Sequence, residues 1–232
     1  MPNYVRTRIT FANGWEEFKR RCLDGKSQFD FNKVVPMPDS IKNTTSGTRN
    51  AQDLTAYLAC FDPDYPEIRH GGYRKATSKL FERMLFNASG GTNLYFYPRG
   101  DQKAIHSAYD EGDFESGKKL YANIITYGSA TWYEWSRWNW GTKWNAETVC
   151  IDDDAKSVTI DTPWSAPSGV LMALAKMMPK AEAIAMYADE DIGSNVGYYH
   201  IAYGSCVLVE VCEDLSRSAL RIANDLWECE VK

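Results

Sequence analysis

The sequence predicts an α+β fold, on three observations. A strictly alternating stretch opens the chain, strand and helix patterns return after about residue 144, and a long helix-patterned segment without strand periodicity separates them. A β-α-β start and a β-α-β-β-α finish are what a split β-α-β, ferredoxin-like sandwich requires. The middle segment then becomes an inserted helical subdomain. The domain boundaries expected are 1–39 for the first part of the sheet domain, 40–140 for the insertion and 141–232 for the remainder.

The elements follow in order. In Asn3 to Ala12, Val5, Thr7, Ile9 and Phe11 alternate with Tyr4, Arg6, Arg8 and Thr10, giving one apolar and one basic strand face. Asn13 reads as an N-cap for a helix carrying Trp15, Phe18 and Cys22 at helical spacing, ended by Asp24-Gly25. Phe29 to Val35 reads as a second strand, closed by Pro36 and Pro38, which cannot continue a ladder. The insertion divides into helices near Ala51 to Cys60, Gly72 to Phe86, Phe114 to Thr126 and Ala130 to Trp138, with a short strand at Asn93 to Pro98. Thr148 to Asp152 and Ser157 to Asp161 face each other across Asp153-Asp154-Ala155-Lys156 as a hairpin. A helix over Ser168 to Met178, a strand over Ala183 to Ala188, one long strand over Val196 to Val211 and a helix over Asp214 to Glu228 complete the prediction. In the last helix Leu215, Ala219, Ile222, Ala223 and Leu226 fall at core spacing.

The 232 residues carry 44% hydrophobic and 25% charged side chains, which excludes disorder as the dominant state. A net charge of −5 argues against a nucleic-acid coating role, so direct nucleic-acid binding is not expected. No apolar run approaches the ~20 residues of a membrane span, and no apolar stretch of signal-peptide length follows the start. The expected location is the cytoplasm. Six cysteines without a C-x-x-C pair fit reduced thiols. Charge is uneven: residues 1–50 hold nine Lys/Arg against five Asp/Glu, whereas residues 182–232 hold three against ten. Such a molecule can steer a partner by its ends, although solvated surface accounts for the same excesses.

Motifs for catalysis are missing or poor. Gly112 to Lys119 matches G-x4-G-K without the following Ser/Thr or the preceding strand that a phosphate loop needs. His70, His106 and His200 have no partner at metal spacing. The sequence thus gives no positive support for an enzyme and calls for no cofactor. Asp189, Glu190 and Asp191 lie in an acidic turn that reads first as backbone-bonding turn chemistry and less as hard oxygen ligands for a metal or paired-carboxylate catalysis, and the three are the partner-binding candidates. Five of the eight tryptophans fall within Trp132 to Trp144. They either glue the insertion to the sheet or offer indoles for stacking, with Asn139, Trp140, Lys143 and Trp144 as ligand-binding candidates and Arg6 or Arg8 meeting phosphate.

Five blocks in order, Met1 to Val5, Phe31 to Pro38, Asn139 to Ala146, Thr162 to Pro167 and Tyr187 to Asp191, resemble the YubB-like family. The resemblance implies a ferredoxin-like domain and a bacteriophage or plasmid habitat, and it implies no reaction. Its motif positions fall on Asn139, Trp140, Gly141, Lys143, Trp144, Trp164, Asp189, Glu190 and Asp191. The function expected from habitat and residues together is a non-enzymatic accessory protein that binds and inhibits a host defence protein. The rival is a protein that binds or sequesters a small nucleotide-like ligand in a pocket between sheet and helical insertion. An open sheet face is also compatible with a homodimer.

Overall fold

A computed structural model of the chain describes residues 3–59 and 112–227. The predicted helix at 72–86, the predicted strand at 93–98, His70 and His106 lie outside the described residues. The chain divides into two compact units, residues 1–36 with 136–232, and residues 37–135.

The first unit is built on a six-stranded sheet. Its strands are β1 (Tyr4–Asn13), β2 (Glu147–Asp152), β3 (Ser157–Pro163), β4 (Glu182–Asp189), β5 (Gly197–Ala202) and β6 (Ser205–Val211), in the order β2-β3-β1-β4-β5-β6. Every neighbouring pair is antiparallel. The helices of this unit are α1 (Trp15–Cys22), α6 (Ser168–Met177) and α7 (Arg217–Trp227). The stretch β1-α1 returns to the sheet at β2 with β3 between, and β3-α6-β4 straddles β1. Two interlocked split β-α-β units of this kind are the ferredoxin-like arrangement, here extended by the β5-β6 hairpin and α7. The fold class is therefore the one the periodicities predict.

Alternation in β1 divides the two faces. Val5, Thr7, Ile9 and Phe11 are buried, and Phe11 meets Trp15 and Phe18 of α1. On the same face α6 buries Val170, Leu171, Leu174 and Ala175. The opposite face receives α7, whose Ala219, Ala223 and Leu226 pack with Ala188, Val196 and Cys212. The small residues let the helix lie close to the sheet.

Four expectations are corrected. Asn13 ends β1 and donates to the Lys180 carbonyl at 3.1 Å, and α1 starts from Gly14, whose φ of +96° a side chain would resist. Phe29 to Val35 is not a strand: it holds a 3₁₀ turn, Phe31–Lys33, because its backbone donors go elsewhere. Phe29 N–H donates to Thr148 Oγ1 at 2.8 Å, Phe31 N–H to Asn145 Oδ1 at 2.9 Å, and Asn32 N–H to Asp30 Oδ1 at 2.9 Å. The long strand over 196–211 is two strands, reversed at Tyr203-Gly204, where both residues have positive φ (53° and 74°) as a type I′ turn demands. Leu215 is not helix core; α7 begins at Arg217 and Leu215 is 66% exposed.

In the second unit the described elements are helices: α2 (Asp39–Lys42), α3 (Thr48–Ala59), α4 (Phe114–Tyr127) and α5 (Trp132–Asn139), the last containing the boundary with the first unit. Leu54, Tyr57 and Leu58 of α3 pack on Leu120 and Ile124 of α4. Gly117 lies where a Cβ would come within 2.0 Å of the Asp53 carbonyl oxygen, so only glycine permits this helix approach. The G-x4-G-K match is absorbed into α4, with Asp113 as its N-cap accepting from Ser116 N–H.

One core atom is out of place. Thr7 is fully buried at the centre of β1, and its hydroxyl has no hydrogen-bond partner. An unsatisfied buried hydroxyl costs about 1 kcal/mol or more, and valine has the same shape. Thr7→Val should raise stability by about 1 kcal/mol, read as a higher urea midpoint with unchanged slope.

Candidate functional site

The Trp-rich junction is first a scaffold. Trp140 is 4% exposed, lies edge-on to Phe31 at 5.8 Å between centroids, and donates Nε1–H to the Val35 carbonyl at 2.9 Å. It belongs to the core and has no face to offer a ligand. Its neighbours turn the chain by hydrogen bonds: Ser136 Oγ–H donates to the Lys143 carbonyl (2.6 Å), Thr142 Oγ1–H to the Pro163 carbonyl (2.9 Å) and Ser165 Oγ–H to the Gly141 carbonyl (2.6 Å). Gly141 sits at φ +83°, and a Cβ there would come 2.6 Å from Ser168 Oγ. Asn139 is half-buried at the end of α5, and its carbonyl occupies the space a Cβ on Gly169 would need.

What this scaffold presents is Lys143 with Trp144 and Trp164. The Lys143 ammonium lies 5.1 Å from the Trp144 ring and 4.9 Å from the Trp164 ring. Each such contact is worth about 0.5–1 kcal/mol at an exposed site.

Arg6 and Arg8 are committed to internal partners. Arg6 forms a two-pronged pair with Asp161 (2.9 and 3.0 Å) and stacks 4.1 Å over Trp227. Arg8 bonds the Asp225 carboxylate at 2.9 Å and the Asp225 carbonyl at 2.7 Å. The basic row of β1 is thus the clamp that fastens α7 to the sheet, and the phosphate role expected for these two residues is replaced by a structural one.

The acidic turn splits into an inner and two outer carboxylates. Asp189 is buried and accepts from Asn3 Nδ2 at 3.3 Å and from Asp191 N–H at 2.9 Å, while Glu190 N–H donates to the Tyr4 carbonyl at 2.9 Å. The side chains of Glu190 and Asp191 are exposed. Among the described residues no group of three or more His, Cys, Asp or Glu side chains converges as a metal site would.

Around this turn three loops meet. Asn195 Nδ2 donates to the Trp164 carbonyl (3.4 Å), Asn195 N–H to Asp214 Oδ1 (3.3 Å), and Leu215 N–H to the Gly193 carbonyl (2.9 Å). Trp164 N–H in turn donates to the Asn3 carbonyl at 2.9 Å. Three non-glycine residues here have positive φ: Trp164 (65°), Asn195 (48°) and Leu215 (59°). Asparagine tolerates this conformation, but for Trp and Leu it costs about 1–2 kcal/mol each. Both are exposed, Trp164 by 49% and Leu215 by 66%, as is Ile192 of the neighbouring turn by 38%. The structure therefore brings Lys143, Trp144, Glu190 and Asp191 to one end of the sheet around Trp164 and Leu215. Leu215 and Ile192 had no functional reading in the sequence, and Trp164 stood only as a landmark between Pro163 and Pro167.

The thiols described here are free, and burial holds Cys22 up at about 12 and Cys206 at about 11. Neither supplies a thiolate nucleophile at neutral pH.

Residues 139–229 match a family model described as the ferredoxin-like domain in Api92-like protein. The chain is also similar to a solved structure, the crystal structure of a protein api92 from Yersinia pseudotuberculosis, at 10% identity and a TM-score of 0.39, covering 92% of this chain and 100% of that one. No curated protein matches. Among the described residues no helix is long and apolar enough to cross a membrane.

The scaffold hangs on Asp30. Desolvation works to raise its pKa, but hydrogen bonds from Asn32 N–H and from the Asn145 and Asn32 amides outweigh it and hold the carboxyl below its ordinary value. A lowered folded pKa gives stability that is present above the unfolded carboxylate value, about 3.9, and is lost as pH falls through the folded one. Asp30→Asn should cost about 1 kcal/mol at pH 7, and the gap from wild type should narrow as the pH falls below the unfolded carboxylate value of about 3.9, measured as urea midpoints on both sides of it.

Proposed function

We propose that the chain is a non-enzymatic binding protein whose working surface is the sheet end carrying Trp164 and Leu215. The observation that carries this reading is that two bulky apolar residues are held in left-handed backbone conformations and yet remain exposed. Folding alone does not explain it: the strain costs free energy, and the side chains recover little of it by burial. A partner that receives them as anchors accounts for both facts, since backbone strain and aromatic anchors concentrate at binding surfaces.

The surroundings define the partner. Glu190, Asp191, Glu213 and Asp214 are exposed around the apolar centre, which suits a basic rim around an apolar pocket. Proteins that handle nucleic acid carry such rims, and exposed carboxylates can take the place of phosphates. With the phage and plasmid habitat that the sequence resemblance implies, the finer reading is an accessory protein acting in the host cytoplasm that occludes a host defence protein.

The test is recovery of the tagged full chain from a bacterial host, with bound proteins weighed by native mass spectrometry. Wild type should carry a host protein in fixed proportion. Trp164→Ala and Leu215→Ala should each reduce that capture at least about tenfold, in line with the loss of interface anchors, and the Glu190→Gln/Asp191→Gln pair should flatten its salt dependence. Leu215→Gly separates binding from folding, because glycine relieves the φ of +59°. Its urea midpoint should hold or rise while capture falls. Capture undiminished in both anchor variants would sink the proposal.

A further inference from the structure

The face of the sheet that receives α7 carries an open groove of about 1110 Å³ between that helix and β4. Its floor is apolar, from Met186 and Ile222, and its wall carries Arg217, Arg221, Ser218 and Asn224. Residues 182–227 hold eight Asp/Glu and only two Lys/Arg, and those two cations are Arg217 and Arg221. Among the described residues neither has an ion-pair or hydrogen-bond partner, whereas Asp225 at the groove's end is taken up by Arg8.

This placement calls for an anion. Arginines four apart on a helix are neighbours and repel, and the carboxylate four residues beyond Arg221, Asp225, is engaged by Arg8 instead. Both project along one wall, one turn apart, as two forks suited to the oxygens of a phosphate. Beside Met186 in the sheet register lies Tyr198, and beside Ile184 lies the exposed His200. The apolar floor therefore continues into a surface with rings for a planar body. The groove has room for a ligand of nucleotide size. A polyanion is opposed by the net charge of −5 and by the carboxylates of this segment.

We propose that the groove between α7 and β4 binds a free nucleoside monophosphate, with Arg217 and Arg221 holding the phosphate and the Met186, Ile222 and Tyr198 surface carrying the base. The proposal does not depend on the reading of the Trp164 and Leu215 surface.

The test is calorimetric titration of the full chain with AMP, with inorganic phosphate and with a ten-nucleotide single-stranded DNA. AMP should bind at one per chain. The Arg217→Gln/Arg221→Gln variant should weaken it at least about tenfold, and Arg217→Lys/Arg221→Lys should recover only part, because lysine keeps the charge and loses the fork. Trp164→Ala should leave AMP binding unchanged, so that failure here is distinguishable from failure of the protein-docking surface. Absence of AMP binding, or binding that survives the double Gln variant, overturns the proposal. Inorganic phosphate as tight as AMP overturns the role of the apolar floor, and a DNA strand bound more tightly than AMP overturns the free nucleotide as the ligand.

Discussion

A continuous run of six aromatic rings holds the sheet unit together. It passes from Phe11 on β1 to Trp15 and Phe18 on α1, then from Phe18 through Phe29 and Phe31 to Trp140, with successive centroids 4.9–5.8 Å apart. All six rings are buried. Beyond their area, such pairs contribute roughly 0.5–1.5 kcal/mol each. The 28–35 segment depends on them most, since it adds no strand to the sheet and meets its backbone needs through Thr148, Asn145 and Asp30. Because Trp140 is fixed by that segment, the turn that follows it is fixed too, and with it the position of Lys143 and Trp144.

The two sheet faces are stabilised by different physics. One is closed by large apolar and aromatic side chains from α1 and α6. The other is covered by a helix of small apolar contacts, steered by charge. Arg6 has little solvent around it and a two-pronged carboxylate partner, the geometry in which an ion pair contributes most. Arg8 and Asp225 are more exposed on the carboxylate side and contribute less. The helix that forms one wall of the groove is consequently positioned by electrostatics as much as by burial.

Much of the fold was legible in the residues because its periodicities are clean. The hairpin over 147–163, the helix after Pro167 and the alternating first strand all follow their patterns. Phe29 to Val35 misled because its apolar alternation is real, while the acceptors that divert its backbone lie on Asn145 and Thr148, more than 110 residues away. The turn at Tyr203-Gly204 was hidden inside an apolar run, and a tyrosine at φ +53° has no propensity to announce it. The candidate site was legible in part. Asp189 to Asp191 carried a turn pattern that the structure realises. Trp140 and Trp144 share one short block, and spacing alone does not tell which is core and which lies at the surface. For Trp164 and Leu215 the decisive property is a left-handed backbone imposed by three loops meeting, which no local pattern encodes.

The central place of β1 has a consequence for how the chain reaches this fold. The first strand in the sequence pairs Thr10 with Ser157 and Val5 with Asp189, so its partner strands are roughly 150 to 180 residues away. At translation rates of about 5–20 residues per second, the ribosome must work for on the order of ten seconds after making β1 before either neighbour exists. During that interval Val5, Ile9 and Phe11 form a hydrophobic row on an unpaired strand, the state most prone to wrong association in a crowded cell. β1 is made long before both of its partner strands, and it must be kept from other partners until they arrive.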